Sequence, residues 1–88
     1  MTSFQVELFG IPRQRAGTAT LQARGPRLAD VLTDLASRFP SLAECCIDGD
    51  RLRPGYVASL GGRCFVTDPQ TQLTLGEPVL ILSADAGG

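Results

Sequence analysis

Eighty-eight residues, 43% of them hydrophobic and 19% charged, describe one ordinary globular domain with a single small core. Eight basic residues, all Arg, stand against nine acidic ones, and the formal charge of -1 argues against a phosphate-backbone partner, so no nucleic acid is expected. With no His and only Cys45, Cys46 and Cys64, neither a four-ligand zinc site of the usual kind nor a four-thiolate iron-sulfur cluster can be assembled, and no metal or cofactor is expected. Adjacent cysteines bridge each other only under strain, so the thiols are read as small buried hydrophobes in a reducing compartment. No basic stretch followed by an apolar core opens the chain, and no apolar run approaches the roughly 18 residues of a membrane span. A cytoplasmic protein without a membrane partner is the expectation.

Phe4, Val6 and Leu8 alternate with Gln5 and Glu7, the period-two pattern of a strand with one buried face, over about Ser3 to Phe9. Gly10 and Pro12 end it. A loop carrying Arg13 and Arg15 closes at Gly17, and Ala19, Leu21 and Ala23 then resume the alternation as the second arm of a long-turn hairpin. Gly25-Pro26 opens a helix whose apolar residues Leu28, Val31, Leu32, Leu35 and Phe39 form one stripe, with Asp30 and Asp34 toward its N-terminal end and Arg38 in its last turn. Pro40 stops it. Ser41 and Glu44 have the spacing of a capping box, which predicts a short second helical turn over Leu42 to Cys46.

Asp48-Gly49-Asp50 and Pro54-Gly55 read as turns, Tyr56 to Leu60 as a strand, Gly61-Gly62 as a hairpin turn and Cys64 to Thr67 as a short return strand. Leu73 to Glu77 lead into Val79-Leu80-Ile81-Leu82, four apolar residues in a row that suit a central strand. The order strand, strand, helix, strand, short strand, strand predicts an α+β, β-grasp architecture: a mixed sheet covered on one face by one main helix. First and last strands would be central and parallel, joined by a right-handed crossover. The domain is read as residues 1–82. Residues 83–88, Ser83-Ala84-Asp85-Ala86-Gly87-Gly88, would project from one end of the sheet as a flexible arm of about 20 Å. Two terminal glycines have no Cβ and can enter a slot too narrow for any side chain.

Three stretches together carry a resemblance. Phe9-Gly10-x-x-Arg13 with Gly17, Leu73-x-x-Gly76-Glu77-x-Val79 and the terminal Gly87-Gly88 make the chain similar to the ubiquitin-like sulfur carriers, in particular the small subunit of molybdopterin synthase and its thiazole-forming relatives. The residues ahead of the terminal glycines, Ser83-Ala84-Asp85, depart from the family's frequent Pro-Pro-Val or Pro-Ala-Val. Length favours the molybdopterin type. The resemblance implies that an ATP-dependent adenylating enzyme joins the Gly88 carboxylate to AMP and that a sulfur donor displaces AMP to leave a thiocarboxylate. A recipient enzyme, such as a molybdopterin synthase large subunit, then takes the sulfur. Gly88, with Gly87 before it, is the reactive position. Since the sequence ends at Gly88, no protease is expected to be needed to expose the diglycine. The protein would be a cosubstrate and not an enzyme, which suits a chain with no His and no evident nucleophile-base pair.

Partners need a surface as well as a tail. The last strand is apolar on both faces while one helix covers only one, so either Leu80 and Leu82 or Val79 and Ile81 must point away. Leu80 and Leu82, with Phe9, Arg13 and Ala86, are assigned to a docking surface for the activating and recipient enzymes. The competing reading is that the segment from Pro40 to Gly55 folds over that face. Two other functions share these features: a ubiquitin-like modifier, in which a substrate lysine attacks the activated Gly88, and a plain interaction module. A thiazole, or another thiolated metabolite, is the alternative recipient.

Overall fold

The computed structural model describes residues 3–62 and 64–84. Ten elements follow in order: β1 (Ser3–Leu8), α1 (Ile11–Ala16), β2 (Thr20–Arg24), α2 (Leu28–Arg38), α3 (Pro40–Cys46), β3 (Ile47–Asp48), β4 (Arg51–Leu52), β5 (Tyr56–Leu60), β6 (Cys64–Val66) and β7 (Val79–Ser83). Five strands make a mixed sheet in the order β2-β1-β7-β5-β6, and β3 pairs with β4 in a small separate hairpin. β1 and β7 run parallel, with Val6 beside Val79 and Leu8 beside Ile81; every other pairing is antiparallel. This is the expected β-grasp, with the first and last strands adjacent near the middle of the sheet.

Alternation decides which face is covered. Phe4, Val6 and Leu8 of β1, Ala23 of β2, Ala58 of β5 and Val79 and Ile81 of β7 are buried, and they form one core with Leu28, Val31, Leu32 and Leu35 of α2. Each large apolar side chain so buried contributes about 1.5–3 kcal/mol relative to exposure. Phe39, the last member of the expected stripe, is the residue between α2 and α3; it packs at the margin of the core with the Arg38 guanidinium 5.5 Å from its ring centre. Leu42, Cys46 and Ile47 enter the same core. The segment after Pro40 therefore lies on the helix side of the sheet and leaves the other face open.

Several local expectations are corrected. The loop between the first two strands contains a helix, α1: Pro12 sits in its first turn, buried, and Gly17 closes it at φ 77°, a left-handed conformation that glycine takes without a Cβ clash. α2 starts at Leu28, not at Pro26, because the Asp30 carboxylate accepts the Arg27 N–H at 2.9 Å and holds Arg27 as the N-cap. α3 starts at Pro40, with Phe39 as its N-cap and no side-chain cap from Ser41. Asp48-Gly49-Asp50 is the turn of the β3–β4 hairpin, with Gly49 at φ 67°. β1 ends at Leu8, one residue before Phe9, β6 ends at Val66, and β7 continues one residue further, to Ser83.

One edge of the sheet is sealed by side chains. Asp34 of α2 accepts the Arg24 N–H at 2.9 Å and pairs with Arg38 at 3.2 Å, while Arg38 donates to the Gln22 carbonyl. Those are outward-facing backbone groups of β2, which a foreign strand would otherwise find unpaired.

Gly25 lies against the Phe4 ring, and a Cβ built there would overlap Phe4 Cε2 and Cδ2. Phe4 is only 2% exposed and its ring has little room to move. Gly25→Ala is expected to lower stability by about 1–3 kcal/mol, read as a reduced urea midpoint with little change in slope.

Candidate docking surface and tail root

The uncovered face is ordered by strand register. Glu7, Leu80, Ser59 and Phe65 form one row across β1, β7, β5 and β6, and Leu82 and Val57 form the next. Phe9 follows Glu7 by two residues, and its N–H donates to the Ile81 carbonyl at 3.2 Å, which carries it alongside Leu82. Val79 and Ile81 are 1% and 0% exposed, whereas Leu80 and Leu82 are only half-buried, so the latter are the outward pair. Phe9 is 41% exposed and Phe65 is 62% exposed. Five apolar side chains, Phe9, Val57, Phe65, Leu80 and Leu82, thus share one side of the sheet.

Val57 and Phe65 were not assigned from the sequence. Their strands were legible, but which face each presents depends on β5 pairing with both β7 and β6, a register no local pattern specifies. Arg13 is exposed on α1, which packs against β7 and α3. It lines an open cleft of about 600 Å3 together with Gly10, Gln14, Gly17, Thr18 and Ala19. β1 and β7 are parallel, so Phe9, α1 and the end of β7 meet at the same end of the sheet. There the Ala84 N–H donates to the Gly55 carbonyl at 2.8 Å, and Tyr56 stands opposite Ser83. Ala86, Gly87 and Gly88 lie outside the described residues.

A thiol pair flanks this exit on the helix side. Cys45 Sγ and Tyr56 Oη are 3.5 Å apart, and Cys46 is fully buried beside them. The Tyr56 hydroxyl holds the Cys45 thiol below its ordinary pKa, because a hydrogen bond to sulfur favours the thiolate; the same bond pushes the tyrosine up. Burial pushes Cys46 up to about 11. All three cysteines are free thiols, and Cys64 is exposed on β6. Among the described residues no three His, Cys, Asp or Glu side chains gather as a metal ion would require, and no helix is long and apolar enough to cross a membrane.

The Cys45–Tyr56 contact predicts an order of reactivity. Alkylation follows the thiolate, so Cys45 should be modified by iodoacetamide at lower pH than an ordinary thiol, while Cys46 stays unmodified until the chain unfolds. Tyr56→Phe removes the donor and should shift the Cys45 profile to higher pH, measured by mass spectrometry of the alkylated peptides.

No protein-family model matches the chain, and no curated protein sequence matches it. Solved structures do. Small archaeal modifier protein 1 (SAMP1) of Methanosarcina acetivorans superposes with a TM-score of 0.78 at 26% identity, covering 100% of this chain and 98% of that one. SAMP1 of Haloferax volcanii gives 0.77 at 19% identity over 99% and 100%. The BexX/CysO complex of Amycolatopsis orientalis contains a chain that gives 0.76 at 20% identity over 97% and 99%. The resemblance read from the sequence is therefore matched in three dimensions: the chain has the ubiquitin-like β-grasp fold of SAMP1 and CysO.

Proposed function

We propose that this protein is a sulfur carrier whose Gly88 carboxylate is adenylated by a partner enzyme and converted to a thiocarboxylate. The observation that carries the reading is the placement of β7. It is an inner strand, held on both sides, that runs to Ser83, five residues before Gly88 in the sequence, and it borders an uncovered apolar face. The motifs shared with the molybdopterin-type carriers flank β7 at its two ends. Phe9-Gly10 turns β1 into α1, Gly17 closes α1, and the turn through Gly76, at φ 86°, leads to buried Val79 at the start of β7. They support a recipient in molybdenum cofactor biosynthesis.

The chemistry asks little of the carrier. A carboxylate is a poor electrophile; attack of its oxygen on the α-phosphate of ATP gives the acyl adenylate and pyrophosphate. Hydrosulfide then adds to the acyl carbon, and loss of AMP and a proton leaves the thiocarboxylate. Every catalytic group for those steps would come from the adenylating enzyme. This chain supplies a terminus without Cβ atoms and a surface to be gripped. Phe9, Leu80 and Leu82, with Val57 and Phe65, are the apolar contacts, and Arg13 the cationic one. Exposed apolar patches of this kind mark interfaces.

A second reading, a protein modifier, has one observation in its favour: two of the structural neighbours are described as small archaeal modifier proteins. The two uses differ in what attacks the activated Gly88. Lysates probed for this chain would show a ladder of conjugates for a modifier and a single free band for a carrier alone.

With its adenylating enzyme, ATP and a sulfide source, the intact protein should gain about 16 Da, sulfur replacing oxygen at Gly88. Gly88 converted to an amide should gain nothing, and Gly87→Ala or Gly88→Ala should abolish the gain with the melting temperature unchanged. Equal thiolation of a chain extended by one residue would refute the reading. Leu82→Ala should raise the KM for the carrier about tenfold, a loss of about 1–2 kcal/mol of docking, with kcat little changed.

A further inference from the structure

The sheet has two edges, β2 and β6, and among the described residues only the first is sealed by side chains. Ladder geometry identifies what β6 leaves open. The Gly61 N–H donates to the Pro78 carbonyl and the Ala84 N–H to the Gly55 carbonyl, so the odd-numbered residues of β5 bond toward β7 and Ala58 and Leu60 bond toward β6. Their partners Val66 and Cys64 therefore turn inward, and Phe65, opposite Ser59, turns its N–H and C=O outward. Among the described residues no group bonds to either. The Phe65 side chain, 62% exposed, lies on the uncovered face in the row of Leu80 and Ser59. One residue thus presents an unpaired backbone donor, an unpaired acceptor and an aromatic ring.

We propose that a second copy of this chain occupies that edge, β6 pairing antiparallel with β6 of its partner about a two-fold axis between the two Phe65 residues. In such a pair the two residues exchange both N–H···O=C bonds, which satisfies the outward groups of β6 with nothing left over. A longer foreign strand would find no further donor or acceptor on Cys64 or Val66. The axis stands perpendicular to the sheet, so both copies keep their helices on the same side. The two Phe65 rings come together as a cross-strand aromatic pair, and the two apolar faces merge into one surface. Growth ends at two copies because the far edge of each sheet carries Asp34 and Arg38 on its backbone groups. The edge is three residues long, so the dimer depends on concentration. This inference is independent of the chemistry at Gly88.

Sedimentation equilibrium on the full chain from about 10 µM to about 1 mM tests it, spanning weak association. The apparent mass should climb from 9.3 kDa toward twice that value. Cys64 stands opposite Val66 of the other copy in this pairing, so a short bismaleimide should capture the dimer through the two exposed Cys64 thiols and fail with Cys64→Ser, which should still dimerise by sedimentation. Phe65→Pro deletes the outward N–H together with the aromatic ring, a change an edge strand tolerates, and should keep the melting curve while staying monomeric. If Phe65→Pro does not fold, Phe65→Asp, at an exposed position, sets two carboxylates face to face and should abolish association in its place. A wild-type chain that is monomeric throughout, or a folded Phe65 variant that associates as tightly as wild type, overturns the proposal.

Discussion

The parallel pairing of β1 with β7 is the contact on which the remaining structure depends. It joins residues from opposite ends of the chain, Val6 with Val79 and Leu8 with Ile81, so it forms only when everything between them has been laid out as a crossover. Helices α2 and α3 occupy that crossover and, being on one side, must cover one face only. The same pairing aligns the end of β1 with the end of β7. Phe9, α1 and its Arg13 come to the point where the last strand leaves because two strands run in the same direction.

The consequence is a molecule with strong sidedness. Val79 and Ile81 face the core while Leu80 and Leu82, one residue away in each direction, face the other side of the sheet and are only half-buried. Edges differ as sharply. At β2 a carboxylate and a guanidinium from α2 occupy the backbone groups. The ion pair itself is worth about 0–1 kcal/mol at such exposure, so its larger effect is to exclude a competitor strand. At β6 no equivalent group is present among the described residues, and the exposed ring of Phe65 marks the difference.

How much of this was legible in the sequence follows from the range of each signal. The α2 stripe, the alternation of β1 and the apolar run of β7 are patterns within one element, and they imply the architecture observed, although Phe39 falls outside α2, β1 stops at Leu8 and β7 runs on to Ser83. The short helix α1 was missed although Pro12 and Gly17 bracket it in the order that favours a helix. Six residues with two arginines carry no apolar stripe long enough to outweigh Gly10 and Pro12 as loop signals. The β3–β4 hairpin was read as a turn because its strands have two residues each, too few to alternate. Val57 and Phe65 were overlooked for a different reason: their facing is a property of pairings between distant segments, and Phe65 in isolation is one aromatic residue after a diglycine turn.

The anchoring of β7 also has a mechanical meaning. A partner that draws the C-terminus into a slot, or an unfolding machine that pulls on it, applies force along the axis of this strand. β7 is flanked by β1 on one side and β5 on the other, and among the described residues the last backbone bond is that of the Ala84 N–H to Gly55. The ladder bonds to β5 run perpendicular to the strand, so the load would be carried in shear by many bonds at once and not by peeling them one at a time. Such a domain resists traction applied through β7, so the sheet would stay closed under the pull that the proposed function imposes on it.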